Sequence, residues 1–119
     1  MLEMATKARA KTYPNPNAYA VTVLTKAGNM YEGISYNSDT LTLTMHSEAT
    51  ALAHASIHGE LEVIAITGPN CHICKQLIWE RSLHTGIDIQ VIVEEGDTYK
   101  IVPISQQMPY PWPDANGNK

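Results

Sequence analysis

The chain has 119 residues, 44% of them hydrophobic and 17% charged, which suits one domain with an ordinary core and leaves little room for a second. Its formal charge of −4 and pI of about 5.6 argue against a grip on nucleic acid, where phosphate neutralisation by Lys and Arg dominates affinity. No apolar run approaches the ~18 residues of a membrane span, so neither a membrane nor a polynucleotide partner is expected. Of the eight Lys and Arg, four (Lys7, Arg9, Lys11, Lys26) lie near the start, and a small-molecule partner fits this balance better. The opening MLEMATKARAK lacks the apolar block of a signal peptide, so the expected location is the cytoplasm.

Residues 1–11 read as a short helix that the prolines of Tyr13-Pro14-Asn15-Pro16 stop. Ala18 to Thr25 alternates, with Val21 and Val23 on one face and Thr22 and Leu24 on the other. Lys26-Ala27-Gly28-Asn29 predicts a hairpin turn, and Met30 to Tyr36 its partner strand. The polar run Ser38 to Thr44 reads as a loop. From Met45 to His58, Met45, Ala49, Leu52, Ala53 and Ile57 recur at helical spacing, with Gly59 as the stop. Leu61 to Thr67 predicts a buried strand, Gly68-Pro69-Asn70 a turn, and Cys71 to Ser82 a second helix. Two strands follow, Ile87–Val93 and Tyr99–Ile104, joined by the acidic turn Glu94-Glu95-Gly96-Asp97. The tail from Met108 to Lys119 holds three of the seven prolines and reads as extended or partly disordered. No repeat or linker interrupts the chain, so one α/β domain over 1–119, layered on a mixed sheet, is expected.

Two helix starts carry reactive groups. The first has His46-Ser47-Glu48, and the second has Cys71-His72-Ile73-Cys74. A catalytic zinc needs three protein ligands and one open position for water. His46, Cys71 and Cys74 meet that count, and two thiolates balance the charge of Zn²⁺. A helix N-terminus also favours thiolate over thiol, because unpaired N–H groups and the helix dipole point at it. Glu48 cannot share a helix face with His46 at a spacing of two. It can instead stand beside the nucleophilic water and move its proton. His-x-Glu followed by Pro-Cys-x-x-Cys is the signature of zinc deaminases. Here Asn70 stands between Pro69 and Cys71, which departs from it. The alternatives are a structural zinc, a redox Cys pair or two buried cysteines. A redox pair leaves His46 and Glu48 without a role, and a zinc finger lacks a second ligand pair, since only His84 follows.

At these residues the chain resembles the cytidine deaminase family, and the similarity covers most of its length. Cys74-Lys75-Gln76-Leu77-Ile78-Trp79-Glu80 is similar to the family's C-R-Q-V-L-x-E run. Tyr13 to Val23 resembles its Y-S-P-Y-S-N-F-P-V-G-A segment, and the spacing from Gly33 to His46 matches without a gap. Met108-Pro109-Tyr110-Pro111-Trp112 resembles its L-P-x-x-F stretch. The resemblance implies a three-layer α/β/α sandwich with a mixed central sheet of about five strands. It also implies a zinc cofactor, hydrolytic release of ammonia, a place in pyrimidine salvage and a homo-oligomer, tetramer or dimer. Glu48 would protonate the ring nitrogen and then the leaving ammonia. Family members with Cys as first ligand often carry Arg after the catalytic Glu; here His46 is paired with Ala49, which is consistent on charge.

The sugar-binding motif departs from the family. Its Asn and Glu correspond to Ser35 and Asn37, its Phe near the base to Tyr19, and the Asn before that to Ala18. Losing a carboxylate that accepts from a sugar hydroxyl is not neutral. The substrate is therefore cytidine, deoxycytidine or a related free cytosine-type compound, or else another aminated heterocycle such as a blasticidin-like nucleoside or a free base. Trp112 matches a family Phe that serves a site across a subunit boundary, and is assigned to substrate binding with Tyr19, Ser35 and Asn37. His54 and His58 lie too far along their helix to join His46 and read as solvated. His72 reads as exposed or behind the ligands, His84 as a helix C-terminal cation, and Trp79 as core or interface. An adenosine or guanine deaminase is disfavoured by the run after the cysteines, and a polynucleotide editor by the acidic composition. A non-catalytic zinc-stabilised binding module is the alternative from another class.

Overall fold

A computed structural model describes residues 1–11, 19–68 and 71–119. The helix break at Tyr13-Pro14-Asn15-Pro16, the position of Ala18 and the turn at Pro69-Asn70 lie outside the described residues. The helices are α1 (Leu2–Arg9), α2 (Ser47–Ile57) and α3 (His72–Thr85). The strands are β1 (Ala20–Thr25), β2 (Met30–Ile34), β3 (Val63–Thr67), β4 (Gln90–Glu95) and β5 (Thr98–Pro103). Short 3-10 turns span Leu41–Leu43 and Ile104–Gln107.

The sheet is mixed, in the order β2-β1-β3-β4-β5. Gly28 at φ 92° supplies the positive φ of the β1–β2 hairpin, which pairs Leu24 with Met30. β1 and β3 run antiparallel, β3 and β4 parallel, β4 and β5 antiparallel. The parallel pair needs a long crossover, and α3 provides it. Gly86, left-handed at φ 73°, ends α3 by donating its N–H to Ser82 O. β2 stops at Ile34; beyond it Tyr36 keeps only a bridge to Met45.

Helices cover both sheet faces, as expected of a three-layer α/β/α sandwich. Val21 and Val23 join Leu52, Ala55, Ile66, Ile78, Trp79 and Val91 in the core beneath α2 and α3. Thr22, on the opposite face, is also fully buried. Its N–H donates to Thr67 Oγ1 at 2.9 Å and its hydroxyl to Met1 O at 3.0 Å, so the polar side chain is satisfied under the start of α1.

The buried face of α2 also differs from the periodic reading. Met45 precedes the helix and Ile57 is 82% exposed, whereas Ser47, Glu48, Ala51, Leu52 and Ala55 are buried. The cause is close backbone contact. A Cβ on Gly33 of β2 would stand 2.3 Å from Ser47 O and 2.2 Å from Ala51 N. Only a helix face of small residues reaches the sheet there.

The tail, read as extended or partly disordered, packs on α3. Trp79 Nε1 donates to Pro113 O and Gln76 Nε2 to Trp112 O, both at 2.7 Å. His54 and His58, expected to be solvated, pack their rings on Tyr31 at centroid distances of 5.1 and 4.9 Å. His58 is exposed, but His54 is half-buried with Nδ1 2.8 Å from Glu32 O. The Tyr31 hydroxyl donates to Glu60, which also accepts from Thr25 Oγ1 at 2.6 Å and Asn29 Nδ2 at 3.0 Å.

These donors, Thr25 first and then Tyr31 and Asn29, hold the Glu60 carboxyl below its ordinary value. A depressed folded pKa contributes stability above the unfolded value of about 4.3, and that stability is lost as pH falls through the folded value. The Tm advantage of the wild type over Glu60→Gln is therefore expected to shrink below about pH 4.3. Thermal melts of both proteins from neutral pH downward check this; a constant difference would contradict it.

Candidate metal centre

The N-termini of α2 and α3 meet at one end of the sheet. His46 is the N-cap of α2 and Cys71 the N-cap of α3, both with extended backbone. Cys71 Sγ accepts the Cys74 N–H at 3.4 Å, which ties the thiol to the first helical turn. His46 Nδ1 lies 3.5 Å from Cys71 Sγ and 3.3 Å from Cys74 Sγ. All three donor atoms fall within 4.8 Å of one another, and among the described residues no other group of His, Cys, Asp and Glu does so.

This donor set fits zinc. Tetrahedral bonds of about 2.0–2.1 Å to nitrogen and 2.3 Å to sulfur imply N···S edges of about 3.5 Å. Cys74 is 1% exposed, and burial pushes its thiol pKa far up, with Glu48 and then Cys71 adding to the rise. A thiolate at that position needs a cation beside it.

Glu48, the second residue of α2, is 1% exposed. The Ser47 hydroxyl donates to its Oε1 at 2.8 Å. Its Oε2 is buried and has no hydrogen-bond partner among the described residues. Such an oxygen is costly unless a ligand brings it a donor.

A cavity of about 360 Å³ opens here, and Tyr19, Ser35, Asn37, His46, Glu48 and Cys71 line it with Thr44 and Ser47. Ser35 is nearly buried, and its Oγ accepts the Tyr19 N–H at 3.0 Å and faces Asn37 Nδ2 at 3.4 Å. Trp112 lies apart from this wall, 59% exposed on the tail. Trp79 is core, and His72 and His84 are exposed. A second cavity, of about 250 Å³, lies under α1 and shares only Tyr19 with the first. Thr44 and Ser47 carry no spacing signal as lone hydroxyl residues; only the place of Ser47 between His46 and Glu48 pointed to it.

No protein-family model matches the chain, and no curated protein matches it. Among solved structures it is similar to cytidine deaminase from Burkholderia pseudomallei, with 22% identity and a TM-score of 0.78 over 92% of this chain and 94% of that one. It is similar to cytidine deaminase from Mycobacterium leprae at 20% identity and a TM-score of 0.73, covering 90% and 92% of the two chains. For cytidine deaminase from Bacillus anthracis the values are 16% and 0.71, covering 96% and 88%. At these identities the likeness is one of fold: five mixed strands between helical layers, the cytidine deaminase-like α/β fold.

Proposed function

We propose that the chain is a zinc-dependent hydrolytic deaminase releasing ammonia from cytidine, deoxycytidine or a related free cytosine-type compound. One observation carries the reading: a buried carboxylate with an unpartnered oxygen, Glu48, shares a cavity wall with donors that fit zinc. His46, Cys71 and Cys74 are the metal ligands in this reading, and Glu48 is the catalytic residue.

Bound zinc would supply Lewis acidity and bring the pKa of a water down towards ~7. Glu48 takes a proton as water adds to the carbon bearing the amine, and delivers it to the ring nitrogen. It then carries the second water proton to the departing amine, so water enters and ammonia leaves. His46 and Cys71, at the starts of α2 and α3, form that end of the cavity wall. Tyr19 offers an aromatic face to the heterocycle, and Ser35 and Asn37 contact what lies beyond the ring.

A second substrate reading, another aminated heterocycle, is favoured by Ser35. Its Oγ already faces the Tyr19 N–H and Asn37 Nδ2, so it is poorly placed to stand in for a group that grips a sugar diol. The chain acts as one domain in this reading, in the cytoplasm, as a dimer or tetramer in which exposed Trp112 reaches a neighbouring copy's site. Among the described residues, no helix is long and apolar enough to cross a membrane.

The test is ammonia release from cytidine, deoxycytidine, cytosine and other aminated heterocycles by zinc-loaded protein. Turnover of one compound supports the deaminase and picks the substrate reading. Silence from folded protein with one zinc per chain would favour a zinc-stabilised binding module instead.

Zinc removal is also expected to lower stability, because binding to the folded state alone contributes about 4 kcal/mol at free zinc 1,000-fold above Kd. A chelator should lower Tm and returned zinc restore it, whereas His46→Ala protein should show neither change. Equal Tm with and without chelator would remove zinc from the account.

A further inference from the structure

We infer that Ser47 is a positioning residue that decides which oxygen of Glu48 handles protons. Its effect on rate rests on the deaminase reading; its contact with Glu48 does not.

A carboxylate at the end of a Glu side chain has two equivalent oxygens and a broad, roughly two-fold torsion at χ3. In a proton shuttle that freedom is a loss, because the reactive oxygen must be held at hydrogen-bond reach. Ser47 breaks the equivalence. It is the first residue of α2 and 1% exposed, so its hydroxyl is removed from water. The hydroxyl sits 2.8 Å from Glu48 Oε1, and a carboxylate can only accept, so Ser47 donates. Oε1 is thereby engaged, and Oε2 is left without a partner among the described residues.

The donor itself stands on a fixed base. Thr50 Oγ1 lies 2.7 Å from Ile34 O and 3.0 Å from Ser47 O, bridging β2 to the first turn of α2. Gly33 lets the Ser47 carbonyl come close to the same strand. The Ser47 backbone is therefore held against the sheet, and Glu48 inherits that rigidity through one hydrogen bond. The two residues line the same cavity.

The test compares Ser47→Ala and Ser47→Thr with the wild type, all zinc-loaded, by kinetics and infrared spectroscopy. A difference spectrum against the same protein carrying Glu48→Gln isolates the Glu48 carboxylate bands. Ser47→Ala is expected to shift those bands and to lower kcat about 10- to 30-fold while KM moves less than about three-fold. Ser47→Thr, which keeps the hydroxyl, should restore both. Zinc content, measured alongside, should be unchanged in Ser47→Ala, while Tm should fall modestly because the buried Glu48 Oε1 loses its donor. An unmoved Glu48 band overturns the contact. A shifted band with kcat within about two-fold of wild type overturns the positioning role. If no compound is turned over by any variant, the deaminase reading fails and the rate role falls with it, while the band still decides the contact. Should Ser47→Thr fail to fold because of its added methyl, Ser47→Ala alone decides.

Discussion

Glu48→Gln is expected to lower kcat by about 10²- to 10⁴-fold while zinc and fold remain in place. Gln has the size of Glu and keeps an acceptor for the Ser47 hydroxyl, which stands 2.8 Å from Oε1. It cannot take up a proton, so the step from water to ring nitrogen to amine stops. Stability should not fall. Glu48 is 1% exposed with an unpartnered oxygen, and its charge is one of the influences that raise the Cys74 thiol. Exchanging the carboxylate for an amide removes the buried charge beside Cys74, so Tm is expected to hold or rise, as when an activity-bearing strain is removed. Ammonia release at saturating substrate, metal content and a thermal melt check the three statements together. A kcat within about ten-fold of wild type would take the proton-carrying role away from Glu48.

The second large effect is structural. Gly33→Ala puts a Cβ 2.2 Å from Ala51 N, 2.3 Å from Ser47 O and 2.5 Å from Ala51 Cβ. Two of these neighbours are helix backbone, which cannot swing aside, so α2 must move off β2. Overpacking of a core commonly costs about 1–3 kcal/mol, and a backbone clash of this depth belongs at or above the upper end. The shift carries His46, Ser47 and Glu48 away from Cys71 and Cys74, which sit on α3. A misplacement near 1 Å costs about 100-fold in rate. Gly33→Ala is therefore expected to lose stability, zinc affinity and activity together. Gly28→Ala is the contrast: nothing lies within 4 Å of its Cβ position, so only the strain of φ 92° is felt. Denaturant melts and chelator competition on both variants decide the matter; a Gly33→Ala protein as stable as wild type would mean that the close approach does not hold α2.

The face that α2 buries shows where sequence reading runs out. Its spacing pointed to Met45, Ala49, Leu52, Ala53 and Ile57, and only Leu52 belongs to the buried set. The helix is rich in alanine, so hydrophobic contrast around it is weak, and size rather than polarity selects the face. That selection is made by Gly33, which lies in another element. The alternation of β1 is limited in a related way: it shows a polar position, but only the start of α1 and Thr67 show that Thr22 is covered and satisfied. The Tyr31, His54, His58 and Glu60 cluster joins β2, α2 and the loop after it, and no local pattern announces such a meeting.

By itself the sequence determined what is local. Glycine and proline punctuation and short-range periodicity set the order and rough bounds of the helices and strands. His-x-Glu and Cys-x-x-Cys at two helix starts named a donor set and a carboxylate, because metal and proton chemistry demand particular residue types at short spacing. The tertiary structure decided everything that depends on separation across the chain. It brought His46 Nδ1 within 3.3–3.5 Å of two sulfurs 25 and 28 residues away, buried Glu48 with one oxygen engaged, and docked the tail on α3. Such contacts depend on how closely helices approach the sheet, and that distance is set by packing between elements rather than within any one of them.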